Sequence, residues 1–213
     1  MGERLMATTD ILTLTEAKRA LGLAEGLANN NEEIAQLITA VTARLDVLCG
    51  PIVARTVTSE SHDGTTRNGV RKTFVALRQA PVVSITAVAE YSGTTAQSLT
   101  AESNSTKTAT NYLYDAQTEV LRRRNTGNDY PFPDGRGNVL VTYSAGRVGA
   151  TASVSSEFKE AAQIICKHLW RNEHGQGTQT FGDVPPEVFP TGFAIPARAL
   201  DLIRGELRPP AVT

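Results

Sequence analysis

The residues with reactive side chains are spaced so that they share no task. His62, His168 and His174 are scattered along the chain. Cys166 and His168 stand two residues apart, about 200 degrees around a helix, so they cannot ligate one ion. Tyr143-Ser144-Ala145-Gly146 lacks the glycine two places before the serine that a nucleophile elbow needs. Gly135-Arg136-Gly137 lacks both the third glycine and the following helix of a dinucleotide loop, and no Walker sequence occurs. Asp129, Asp134 and Asn138, in the loop NDYPFPDGRGN, lack the spacing of a calcium loop and read as turn formers. No catalytic residue, cofactor or metal ligand is expected, and the chain is not read as an enzyme.

Charge narrows the alternatives. Residues 1–50 carry 4 basic and 7 acidic side chains, 51–150 carry 11 and 8, and 151–213 carry 6 and 7. None of these segments has the dense positive field of a non-specific DNA binder. Arg122-Arg123-Arg124 is the one basic run. On a strand, alternate arginines point to opposite faces, so the run makes no phosphate comb and reads as a solvated edge strand guarded by charge.

The elements that would position these groups come in a helix, strand, helix order. With 213 residues, 40% hydrophobic and 20% charged, the chain can bury a sizeable core without a staple. Cys49 and Cys166 fall on apolar helix faces and read as buried, reduced thiols. No apolar run reaches the length of a membrane span, and the N-terminus MGERLMATTD has no apolar stretch behind its charges, so a soluble intracellular protein is expected. Thr13 and Glu16 form a capping-box pattern for a short helix ending at Gly22. A second helix opens at Asn30 and carries Ile34, Leu37, Ile38, Val41, Leu45 and Leu48 on one face until Cys49-Gly50-Pro51 stops it.

From Ile52 to about Ser144 the period falls to two. Strands are expected at 52–61, 70–77, after Pro81, at 119–124 and at 139–144, the last with Val139, Val141 and Tyr143 on one face. In the strand after Pro81, Val83, Ile85, Ala87, Ala89 and Tyr91 share a face. Ser92 to Thr110, rich in Ser, Thr and Ala, reads as an exposed loop or hairpin tip. A third long helix from Ser155 or Ser156 to about Asn172 turns Phe158, Ala161, Ala162, Ile165, Cys166 and Leu169 inward and leaves Trp170, the sole tryptophan, among polar residues. The fold class is therefore α+β: a helical core with an inserted antiparallel β-rich domain. Its parts are residues 1–50, 51–150, 151–174 and a C-terminal arm, 175–213.

That arm is the least ordinary feature. His174 to Ile195 reads HGQGTQTFGDVPPEVFPTGFAI, longer than compact domains usually leave unpatterned. It nevertheless holds Phe181, Phe189 and Phe193, which a solvated linker would lack. Pro196 then opens a short last helix with Ala199, Leu200, Leu202, Ile203 and Leu207, too short to stand alone in water. Trp170, Phe181, Phe189, Phe193, Arg198, Leu202 and Ile203 are the candidate residues of an interface with another chain.

The order of pieces resembles the bacteriophage head-tail connector, or adaptor, proteins of long-tailed phages and the related gene-transfer agents. The resemblance rests on Leu12-Thr13-Leu14-Thr15-Glu16-Ala17-Lys18, the helix from Glu32 to Gly50, Arg78-Gln79-Ala80-Pro81-Val82-Val83-Ser84-Ile85, Asn111-Tyr112-Leu113-Tyr114-Asp115, the strand Val139 to Gly146, His168-Leu169-Trp170-Arg171-Asn172-Glu173 and Ile195-Pro196-Ala197-Arg198-Ala199-Leu200. It implies a structural virion protein in the neck between head and tail, made in the bacterial cytoplasm. It further implies a ring, similar to adaptors that assemble twelve copies beneath the portal protein, with a stopper or other tail protein docked on it and genomic DNA passing through without sequence-specific contact. No cofactor and no membrane are implied. Against the smallest relatives, this chain inserts about 90 residues of β structure. Other readings are a stopper or tail terminator, which a β-dominated chain would favour, and a DNA-packaging or DNA-binding factor, which the segment charges disfavour.

Overall fold

The computed structural model describes residues 7–26, 28–174 and 195–207. It divides into two units, one formed by the chain up to Val53 and from Ala150 onward, the other by Ala54–Gly149.

In the first unit, helix α1 (Leu14–Leu21) starts where the capping box predicts. The Thr13 hydroxyl accepts from Glu16 N–H at 3.2 Å, and the Glu16 carboxylate accepts from Thr13 N–H at 2.8 Å. Gly22 closes the helix in the left-handed region, φ 74°. Helix α2 (Asn31–Cys49) begins without a side-chain cap from Asn30 and buries Ile34, Ile38, Val41 and Leu45, the expected stripe. Helix α3 (Ser156–His174) buries Phe158, Ala161, Ala162, Ile165 and Cys166, again as its period predicts. Helix α4 (Ala197–Leu202) follows Pro196 and packs on α3, while α1, α2 and α3 pack on one another. Each large apolar side chain so buried is worth about 1.5–3 kcal/mol.

Polar contacts then set the register of this bundle. Thr42 accepts from Ile11 N–H at 3.1 Å, Thr151 donates to the Asp10 carbonyl at 2.6 Å, and Lys159 on α3 reaches Glu16 on α1 at 2.6 Å. Burial raises the Asp10 carboxyl above its ordinary range, against the pull of Thr39 and Ala7 N–H.

The second unit is an eight-stranded sheet: β1 (Arg55–His62), β2 (Phe74–Ala76), β3 (Val82–Ser92), β4 (Thr95–Ala101), β5 (Asn111–Asp115), β6 (Val120–Asn125), β7 (Asn128–Asp129) and β8 (Val139–Ala145). The order is β1-β8-β3-β4-β5-β6-β2, with β7 beside β6. One face gathers Val75, Val88, Leu99, Tyr112, Leu121, Val139, Val141 and Tyr143 around Phe132. Gly146 lets β8 leave this layer: a Cβ there would sit 2.3 Å from the Ala54 Cα, which backbone cannot yield.

Four expectations change here. The sheet is not wholly antiparallel, because β4 and β5 run parallel. The stretch from Ser92 to Thr110 contains a strand, β4, joined to β3 through Gly93 and Thr94; Leu99 is its one buried residue, so it carries no apolar alternation to read. In β3 the inward residues are Val88 and Glu90, not Ala87, Ala89 and Tyr91. Register shifts between Val82 and Ser84 and between Ile85 and Ala87 break the simple alternation. Finally, β6 is no edge strand: it lies between β5 and β2, and Arg123 is buried.

Candidate assembly surfaces

Alternation along β6 divides its three arginines, as strand geometry requires. Arg123 points inward, where Nε and Nη2 grip Glu90 Oε2 and Oε1 at 2.9 Å each, and Nη1 donates to the Ala109 carbonyl at 2.8 Å. Arg124 holds Glu102 at 3.0 Å and pairs with Asp129. Arg122 is partly exposed, 3.5 Å from Asp129, with its guanidinium 5.7 Å from the centre of the Phe74 ring.

Phe74, Arg122 and Leu113 are direct cross-strand partners on β2, β6 and β5. Phe74 is 49% exposed and Leu113 40% exposed, an apolar pair flanking a cation on the outer face of the sheet. No interface role was expected of them, since each strand read alone shows an ordinary alternating residue; the row exists only once the register is known.

Tyr143 donates to Glu60 Oε2 at 2.7 Å and accepts from Gln79 N–H at 3.1 Å, while Arg78 N–H donates to Glu60 Oε1 at 3.1 Å. His62 Nε2 stands 2.7 Å from Glu60 Oε1. Burial pushes the His62 imidazole below its ordinary range and the Tyr143 phenol well above its own, the latter helped by the Glu60 carboxylate. This cluster ties β1 to β8 and to the segment after β2. Its members bond to one another and to backbone of neighbouring strands, so the perturbed groups read as structural.

The sequence-picked residues separate. On α3, Trp170 is half-buried and stacks on His174, ring centres 3.8 Å apart and planes 13° from parallel. On α4, Arg198 is exposed and 3.9 Å from Glu160, Leu202 is half-buried and Ala199 is buried, as is Ile203 just past the helix. Ile203 therefore packs inside its own unit. Phe181, Phe189 and Phe193 lie outside the described residues. Burial pushes the Cys166 thiol up to about 12, and Cys49 and Cys166 are both buried and not joined in a disulfide. A hollow lined by Lys18, Leu23, Ala24, Asn29, Asn30 and Ile34 has Lys18 as its single ionisable group, too little for acid-base chemistry.

No protein-family profile matches the chain, and no curated protein matches it. Solved structures do. One is a chain from the neck of an empty gene transfer agent particle, computed with C6 symmetry, at TM-score 0.53 and 17% identity over 95% of this chain and 92% of that one. Another is a chain from the virion of a native gene transfer agent particle, at TM-score 0.53 and 14% identity over 96% and 93%. The chain shares its fold with proteins of a gene transfer agent. Among the described residues no helix is long and apolar enough to cross a membrane.

Proposed function

We propose that this protein is a structural neck component of a phage-like particle, an adaptor that forms a ring under the portal protein and receives a stopper or tail protein. The observation that carries the reading is the likeness to a neck chain over nearly the whole length of both chains. The C6 symmetry of that neck is compatible with a twelve-membered ring. Charge adds support: Ala54–Gly149 holds 11 basic and 8 acidic side chains, the rest of the chain 10 and 14. Opposite net charge on two units of one chain favours a head-to-tail contact, the kind that closes into a ring.

In this reading the C-terminal arm, 175–213, reaches a sister subunit or the portal through Phe181, Phe189, Phe193, Arg198 and Leu202, and Trp170 contributes from α3. Deleting everything after the arm's start would also remove α4 and unpack Ala199 and Ile203 from α3. The cleaner test replaces the three phenylalanines by serine in the full chain. Negative-stain microscopy of the unaltered protein with its portal should then show a ring at the portal's tail-side end, and the triple variant should lose it. Binding only to the tail side of a preformed neck would favour the stopper reading, and full ring formation by the triple variant would remove the arm from the assembly.

A further inference from the structure

We propose that Glu33, Glu173 and His174 form a metal site, with zinc or a similar transition-metal ion as its ligand, joining the first turn of α2 to the last turn of α3. One ligand atom from each of the three side chains lies within 4.8 Å of the other two. His174 Nε2 is 3.2 Å from Glu33 Oε1. Around a tetrahedral zinc with bonds near 2.0–2.2 Å, ligand atoms stand about 3.4 Å apart, so modest side-chain rotation brings all three onto one ion and leaves a fourth position for water.

Three observations carry the assignment beyond a surface ion pair. The Glu33–His174 pair is complete without Glu173, yet Glu173 brings a second carboxylate to it and has no hydrogen bond or ion pair of its own among the described residues. An imidazole offers at most one positive charge against two carboxylates, and a divalent ion balances both. Secondly, the donor set is mixed, one nitrogen and two carboxylates, which zinc, cobalt and nickel accept more readily than magnesium or calcium, whose ligands are oxygens. Thirdly, the Trp170 ring, one helical turn earlier, stacks on the imidazole and limits its rotation toward Glu33 and Glu173. No metal ligand was expected from the sequence, because Glu33 is 140 residues from Glu173 and the histidines looked isolated. The consequence is mechanical. A bound ion would secure the last turn of α3, from which the chain continues to Phe181, Phe189 and Phe193.

The stack supplies the assay. Trp170 is the sole tryptophan, so its fluorescence reports on His174 without ambiguity. Full-length protein is titrated with cobalt chloride, a paramagnetic quencher, then with zinc chloride in competition, with EDTA reversal and magnesium chloride as the control. The expected result is saturable quenching by cobalt, displaced by zinc, absent with magnesium, with one ion per chain by equilibrium dialysis. The double variant Glu33→Gln, Glu173→Gln keeps the Trp170–His174 stack and should bind about tenfold more weakly or worse, with an unchanged far-ultraviolet circular dichroism spectrum. No saturable change below about 1 mM metal, or equal affinity in protein and variant, overturns the proposal. Because the readout needs no partner, it stands or falls separately from the neck reading.

Discussion

Arg123 and Glu90 form a two-pronged ion pair inside the β unit, both contacts 2.9 Å, with neither side chain more than 7% exposed. Fork-to-fork geometry gives such a pair direction as well as strength, and here it fixes β6 relative to β3 although the two strands are not neighbours. The loss of one partner leaves a buried charge unpaired. Arg123→Met should therefore cost about 3–5 kcal/mol in urea unfolding. The double variant Arg123→Met, Glu90→Leu should recover much of that loss but not all, since the Ala109 carbonyl still loses its donor. A double variant as unstable as the single one would show that the pair is not the coupled unit the geometry describes.

A second buried carboxylate behaves differently because its partners are neutral. Glu60 accepts from the Tyr143 hydroxyl and from Arg78 N–H, so Tyr143→Phe removes the hydroxyl donor and leaves Gln79 N–H without its acceptor. The expected cost is about 1.5–3 kcal/mol, the range for hydrogen bonds to charged groups, seen as a lower urea midpoint with unchanged slope. A Tyr143→Phe protein of unaltered stability would mean that water replaces the hydroxyl.

Glu16 links folding to pH. Burial works against its charge, but Lys159 at 2.6 Å and the Thr13 amide and hydroxyl outweigh it and hold the carboxyl below its ordinary 4.5. A depressed folded-state pKa means stability that is present above the unfolded value and lost as pH falls through the folded one. The difference in melting temperature between the unaltered protein and Glu16→Gln should thus be full at pH 7 and shrink as pH falls below the ordinary 4.5. Comparison as a difference cancels Asp10, whose raised pKa acts with the opposite sign. A gap that persists at low pH would assign the effect to packing.

The helices were legible because each carries its own signal. Thr13 and Glu16 announce a start, Gly22 and Gly50 a stop, and the period of Ile34, Ile38, Val41 and Leu45 needs no partner to be seen. The clearest strand, β8, was legible for the same reason, with Val139, Val141 and Tyr143 all fully buried. What failed was pairwise. Glu90 faces inward only because Arg123 meets it there, and β6 is interior only because a three-residue strand, β2, covers its far side. The register shifts in β3 moved its inward face without any mark in the amino-acid pattern. The burial of Ile203 was not legible either, because a short amphipathic helix reads alike whether its apolar side meets its own core or another chain.

The outer row of Phe74, Arg122 and Leu113 gives the last prediction. Exposed apolar side chains on one sheet face usually serve contact, and a guanidinium beside an aromatic ring is a frequent interface anchor. If the row meets a partner in the neck, Phe74→Ser with Leu113→Ser should leave unfolding within about 0.5 kcal/mol, the ordinary range for surface changes, while weakening assembly. Arg122→Ala should act in the same direction, since it removes the cation over the Phe74 ring, while Asp129 keeps its pair with Arg124. Analytical ultracentrifugation of the protein alone and with its portal separates two cases: loss in both marks a subunit contact, and loss only with the portal marks a portal contact. Assembly unchanged in both would leave the row as solvent-facing sheet surface, and the arm as the remaining candidate for grip.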